Sequence, residues 1–161
     1  MTEVLPQHKA NVDLVRNTGT TPLIVAAQNG HVEVAKVLQQ HKADVEIAKN
    51  DGATPLFIAA HNGHLDVVQT LLAGKATVDR PSFFGESALA AAAHHGHLAV
   101  AKVLVEEGKA DADFAGDDGM TPVLWTAYRG HRKLLKYLLP LSTMTEAEVV
   151  ERLTPELRAK L

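Results

Sequence analysis

A glycine, a threonine or serine two residues later, an alanine-rich stretch and a Gly-His pair recur four times along the chain in the same order. Gly19, Gly52, Gly85 and Gly119 open the units, in steps of 33, 33 and 34 residues, and Gly30-His31, Gly63-His64, Gly96-His97 and Gly130-His131 fall in their middles. Self-similarity at this period predicts a stacked array of helical units, which binds through an extended surface and not from an enclosed pocket.

Four such units and two ends fill all 161 residues, so no second domain is needed. Apolar residues make up 46% of the chain and aromatics only 4%, a balance that favours helices packed closely through Ala, Val and Leu. The net charge of −3 gives no general attraction to nucleic acid or to a membrane surface. Without cysteine there is no disulfide framework, thiolate zinc site or thiol chemistry. Residues 1–11 are polar and no run of 18 apolar residues occurs, so membrane insertion and secretion have no support and an intracellular place, cytoplasmic or nuclear, is expected.

Each unit has a mechanical reading. Thr21-Pro22, Thr54-Pro55 and Thr121-Pro122 put a capping hydroxyl ahead of a proline at the first helical position, and Ser87-Ala88 does so without the proline. The first helix then runs through Ala26-Ala27, Ala59-Ala60, Ala92-Ala93 or Thr126-Ala127 and stops at the glycine of Gly-His. A second helix follows with apolar residues at helical spacing: Val34, Val37 and Leu38; Val67 and Leu71; Val100, Val103 and Leu104; Leu134, Tyr137 and Leu138.

The strings Gly-Thr-Thr-Pro-Leu-Ile-Val-Ala-Ala-Gln-Asn-Gly-His at 19–31, Gly-Ala-Thr-Pro-Leu-Phe-Ile-Ala-Ala-His-Asn-Gly-His at 52–64 and Lys-Ala-Asp-Val at 42–45 closely resemble the ankyrin repeat. The resemblance covers 2–139 and implies an all-α helical repeat solenoid with short β-hairpin-like turns between repeats. One departure is that Ile24, Phe57, Ala90 and Leu124 stand where the family usually carries histidine after Thr-Pro-Leu, so the bonds of that histidine must be replaced or absent.

The expected organisation is a single domain over 1–161, with a partial repeat at 1–16, repeats at 17–49, 50–82, 83–116 and 117–141, and a helical cap at 142–161. The stretch from Val4 to Asp13 aligns without a gap with Val37 to Glu46, as if the chain began inside the second helix of an earlier unit of a longer array. Beyond Leu139 the repeat is lost. Thr145 and Glu148 form a capping box before Val149, Val150 and Leu153, and Thr154-Pro155-Glu156 starts a further short helix.

Nine histidines invite a metal reading, but His31, His64, His97 and His131 hold one repeat position and cannot converge on one ion, so no metal or cofactor is expected. No catalytic constellation emerges either: Ser87 is a cap, and Asp117 and Asp118 lie on a turn tip where carboxylates are solvated. Trp125 shares the register of Val25, Ile58 and Ala91 and should face inward, against Ala90 to Ala93. Phe83-Phe84 breaks the local rule, because Asn17-Thr18, Asn50-Asp51 and Asp117-Asp118 are polar at the equivalent tips. Arg132-Lys133 opens the last second helix against its macrodipole, which calls for compensation by an anionic partner or by Glu146, Glu148 and Glu151.

The resemblance implies a non-catalytic protein–protein interaction module, a monomer, with a partner-facing concave surface of turn tips and first helices. Its expected residues are Asp51, His61, Asn62, Phe83, Phe84, Glu86, His94, His95, Asp118, Met120, Tyr128 and Arg129. Rival readings are a targeting or inhibitory segment of a larger enzyme or channel, and an engineered repeat binder.

Overall fold

The computed structural model describes residues 11–153, which form four helix pairs and a terminal helix. The first helices are α1 (Pro22–Asn29), α3 (Pro55–Asn62), α5 (Ala88–His95) and α7 (Pro122–Arg129). The second helices are α2 (Val32–Gln40), α4 (Leu65–Ala73), α6 (Leu98–Glu106) and α8 (Arg132–Leu138), followed by a 3-10 turn at Leu139–Leu141 and by α9 (Glu146–Arg152). First helices stack on first helices and second on second, giving the two layers of a solenoid. Among the described residues there is no strand, and no helix is long and apolar enough to cross a membrane.

The caps carry the period. Thr21, Thr54, Ser87 and Thr121 each accept the amide N–H three residues on with their side-chain oxygen, a bond worth about 1 kcal/mol per helix start. Ile24, Ala90 and Leu124 are buried and Phe57 is half-buried, so apolar packing replaces the bonds of the family's histidine. In the third unit the extra residue is absorbed where α6 ends, Gly108 N–H reaching back to the Val103 carbonyl.

The turn tips are joined across units by backbone bonds from Asn50 N–H to Thr18 O, Phe83 N–H to Asp51 O and Asp117 N–H to Phe84 O, at 3.2, 3.1 and 3.3 Å. Deeper in each turn a carboxylate accepts an amide of the next unit: Asp13 from Asp44, Glu46 from Thr77, Asp79 from Asp111 and Asp113 from Thr143. The last of these reaches past Leu139 into the expected cap. Ser142 and Thr143, both bonded to Asp113, extend the ladder by one step and tie the cap to the array.

The capping box of Thr145 and Glu148 is present, and Val149 and Leu153 are buried. Arg132, Lys136 and Glu146 line one cleft with Leu135, Leu139 and Val149, which places the acidic residue of the cap beside the basic start of α8. Residues 1–10 and 154–161, including the aligned stretch from Val4 and the helix start at Thr154, lie outside the described residues. At the first unit the face turned toward the N-terminus is open: Val25, Val34 and Val37 are 40–50% exposed, whereas Ile58, Val67, Val100 and Leu134, in the registers of Val25 and Val34, are buried by the unit before them.

Candidate functional site

Because the first helices lie parallel at one repeat spacing, residues at the same register form rows across the concave face. His61, His94 and Tyr128 make one row with Gln28, and Asn62, His95 and Arg129 make the next with Asn29. The unit-to-unit offset brings the rows together diagonally. His61 of α3 meets His95 of α5 with ring centroids 4.1 Å apart, His95 lies 4.8 Å from His94, and His94 stacks on Trp125 of α7 at 4.3 Å and 24°. Trp125 in turn meets Tyr128 edge-on at 5.8 Å, and Phe57 extends the other end to His61 at 6.2 Å. Five rings from His61 to Tyr128 thus form one aromatic shelf over three helices.

Trp125 leans on the core as its register predicts, and it also reaches the concave row. It is half-buried, its ring meets those of His94 and Tyr128, and among the described residues its indole N–H finds no acceptor. Its inward register alone does not mark it as part of the concave surface. The register that put it beside Ala91 was sound, but a side chain of that length reaches across to the preceding helix end. Phe57 was overlooked in the same way, although its spacing of four from His61 on one helix face was a usable signal.

Burial, and then the charges of His61, His94, His97 and Arg129, push His95 down to about 4. His94 is lowered by burial first and by Arg129, His61 and His131 after it.

The turn tips border the shelf. Phe83 and Phe84 are 70% and 73% exposed, and the ring of Phe83 lies over Gly52, where an added Cβ would come within 2.7 Å of it. Asp51 accepts the Ala53 N–H and pairs with Lys49 Nζ at 3.1 Å, and Asp118 accepts the Met120 N–H at 2.9 Å. Phe84, in the same register as both aspartates, has no such bond to offer. Glu86 is half-buried, and burial and the charge of Asp118 raise its pKa.

Of the twelve residues expected on this surface, nine are exposed and Glu86, His94 and Met120 are half-buried. Asn62 has its amide committed to the helix end, Nδ2–H to the Ile58 carbonyl at 2.9 Å, and Met120 leans on the core. The Gly-His histidines are structural. The Nε2–H of His64, His97 and His131 donates to the carbonyls of Gln28, His61 and His94, stitching each unit to the first helix before it. Ser87 is fully buried as a cap, and among the described residues no three His, Asp or Glu side chains converge as a metal shell requires.

A sequence model of the ankyrin repeat, built of three copies, matches residues 1–82 and again residues 73–151. Comparison with curated proteins returns no match. Capped helix pairs, left-handed glycines before histidine and a family match that runs over nearly the whole length agree, and the chain belongs to the ankyrin-repeat family.

Proposed function

We propose that this chain is a non-catalytic recognition module that grips a protein partner on the concave face of units two to four. Ankyrin repeats are in general protein–protein interaction modules and are typically non-enzymatic. The hot spot is the stripe of Phe83, Phe84, His61, His94, His95 and Tyr128, with Asp51, Asn62, Glu86, Asp118, Met120 and Arg129 around it. The observation that carries this reading is the pair of phenylalanines, 70% and 73% exposed at a tip where every other unit is polar. Two large aromatics held on a hydrogen-bonded turn offer contact area at little ordering cost.

The test is the double substitution Phe83→Asn and Phe84→Asp. The fold accommodates both: Asn50 at the first position donates to the Asn17 carbonyl of the preceding tip, and Asp51 at the second caps Ala53. The melting midpoint is expected to stay or rise, while affinity for a partner recovered by affinity capture and mass spectrometry falls by about 2 kcal/mol or more. Unchanged affinity in this variant, together with loss of binding on Arg129→Ala or Arg132→Ala, would move the grip to the basic last unit.

A further inference from the structure

The aromatic tip is bordered by carboxylates, and those on its C-terminal side have no lysine or arginine partner among the described residues. Glu86 follows Phe84 by two residues, and Asp117 and Asp118 form the next tip, whose backbone is bonded to Phe84. Asp51, one unit earlier, is paired with Lys49. Among the described residues the Glu86 carboxylate accepts no hydrogen bond and pairs with no lysine or arginine; only the charge of His61 acts against burial and Asp118 there, and Lys36–Glu33, Lys49–Asp51 and Arg80–Glu46 do not involve it. Glu86 is instead close enough to Asp118 for the two charges to repel one another. A carboxylate left half-buried beside a like charge and two open aromatic faces is stabilised by one kind of visitor: a flat cation with apolar company.

We propose that the patch of Phe83, Phe84, Glu86 and Asp118 docks a segment of the partner protein in which an arginine stands next to an apolar side chain. This rests on the concave-face reading above and names the chemistry of what that face takes. The guanidinium stacks on a phenyl ring while its N–H fork reaches the carboxylates, and the apolar neighbour covers the second ring. Lysine lacks both the flat face and the fork. An acidic or phosphorylated segment, or a nucleic acid, would bring like charge to Glu86, Asp117 and Asp118.

Three capped dodecapeptides test this, sharing a leucine frame and carrying arginine, glutamine or glutamate at alternate positions. Binding is read by calorimetry and by Trp125 emission at pH 7.5 and low salt. The arginine peptide is expected to bind at least tenfold tighter than the glutamine peptide, and Glu86→Gln with Asp118→Asn should erase that margin. Both changes are isosteric, and asparagine keeps the acceptor for the Met120 N–H. A charge-matched control on the second helices, Glu33→Gln with Asp66→Asn, should retain it. If the acidic-pair variant keeps the margin while Phe83→Ala with Phe84→Ala loses all three peptides, the concave reading stands and the arginine assignment falls. If neither variant changes any affinity, both fall. Tighter binding of the glutamate peptide, no detectable binding of the arginine peptide, or self-association by sedimentation that Glu86→Gln with Asp118→Asn abolishes would each overturn the proposal, the last by assigning the patch to the basic unit of a second copy.

Discussion

The imidazole of His97 sits against Gly63 and donates its Nε2–H to the carbonyl of His61, 3.0 Å away. A Cβ added at Gly63 would lie 2.7 Å from the ring, whereas at Gly130, the equivalent position of the last unit, nothing lies within 4 Å. Both residues have positive φ, 76° and 74°. Alanine at either therefore meets the same left-handed penalty, roughly 1–2 kcal/mol. Gly63→Ala must also displace the histidine and should cost ~1 kcal/mol more than Gly130→Ala in urea unfolding. His97→Ala should recover part of the excess in the Gly63 variant and none in the Gly130 variant. Equal costs at the two glycines would mean that the ring moves aside freely.

Asp113 anchors the cap. Burial alone would raise its pKa, but the bonds from the Ser142 hydroxyl and the Thr143 N–H outweigh burial and hold the carboxyl below its ordinary value. Such a group contributes fully above about pH 4 and loses its contribution as pH falls through the folded value. Asp113→Asn should cost about 1 kcal/mol at pH 7 and less near pH 3. Amide exchange should quicken over 142–153 and stay unchanged in α3 and α5. Uniform loss of protection along the array would contradict a local anchor.

What was legible in the sequence was what a unit does within itself. Thr21, Thr54, Ser87, Thr121 and the Thr145–Glu148 box are caps because their bonds span three residues, and that spacing shows in any one copy. Features that depend on the offset between units were hidden. The step from Asp13, Glu46, Asp79 or Asp113 to its amide is about thirty residues, uses aspartate in three units and glutamate in one, and ends on Thr143, where no repeat string remains. The stacking of Trp125 on His94 requires knowing how far one helix slides past the next. Exposure of Phe83 and Phe84, in contrast, followed from register alone, since a tip that is polar in every other unit is solvent-facing.

His95 gives the fold a sensitivity to mild acid. Its unfolded pKa is near 6.5 and its folded one about 4, so between those values the unfolded chain binds more protons and stability falls as pH drops. Below about 4 this contribution is spent. His94, lowered for the same reasons, acts in the same direction, while Asp79 and Glu86, raised by burial, oppose it at the acid end. Units one and two hold asparagine at this register, where Asn29 and Asn62 bond the carbonyls of Val25 and Ile58. His95→Asn can make the matching bond to Ala91, and its stability should decline less than the parent's between pH 7 and 4.5. Parallel pH profiles for parent and variant would rule out His95 as the source. Because the ring is largely exposed, the change expected is one of slope, small beside the total stability.

Trp125, the single tryptophan, reports directly on the shelf. Its ring stacks on His94 at 4.3 Å, so a proton taken up there places a cation on the indole face and quenches the emission. Burial and the neighbouring Arg129, His61 and His131 hold the His94 pKa below its ordinary 6.5. The fluorescence intensity of the folded protein should therefore fall on acidification with a midpoint below 6.5. The neutral Gln28 marks the same register in the first unit, and His94→Gln should abolish the titration while circular dichroism stays unchanged. A midpoint at or above 6.5 would place His94 in water and away from Trp125. A titration that survives His94→Gln would shift the contact to another histidine of the row.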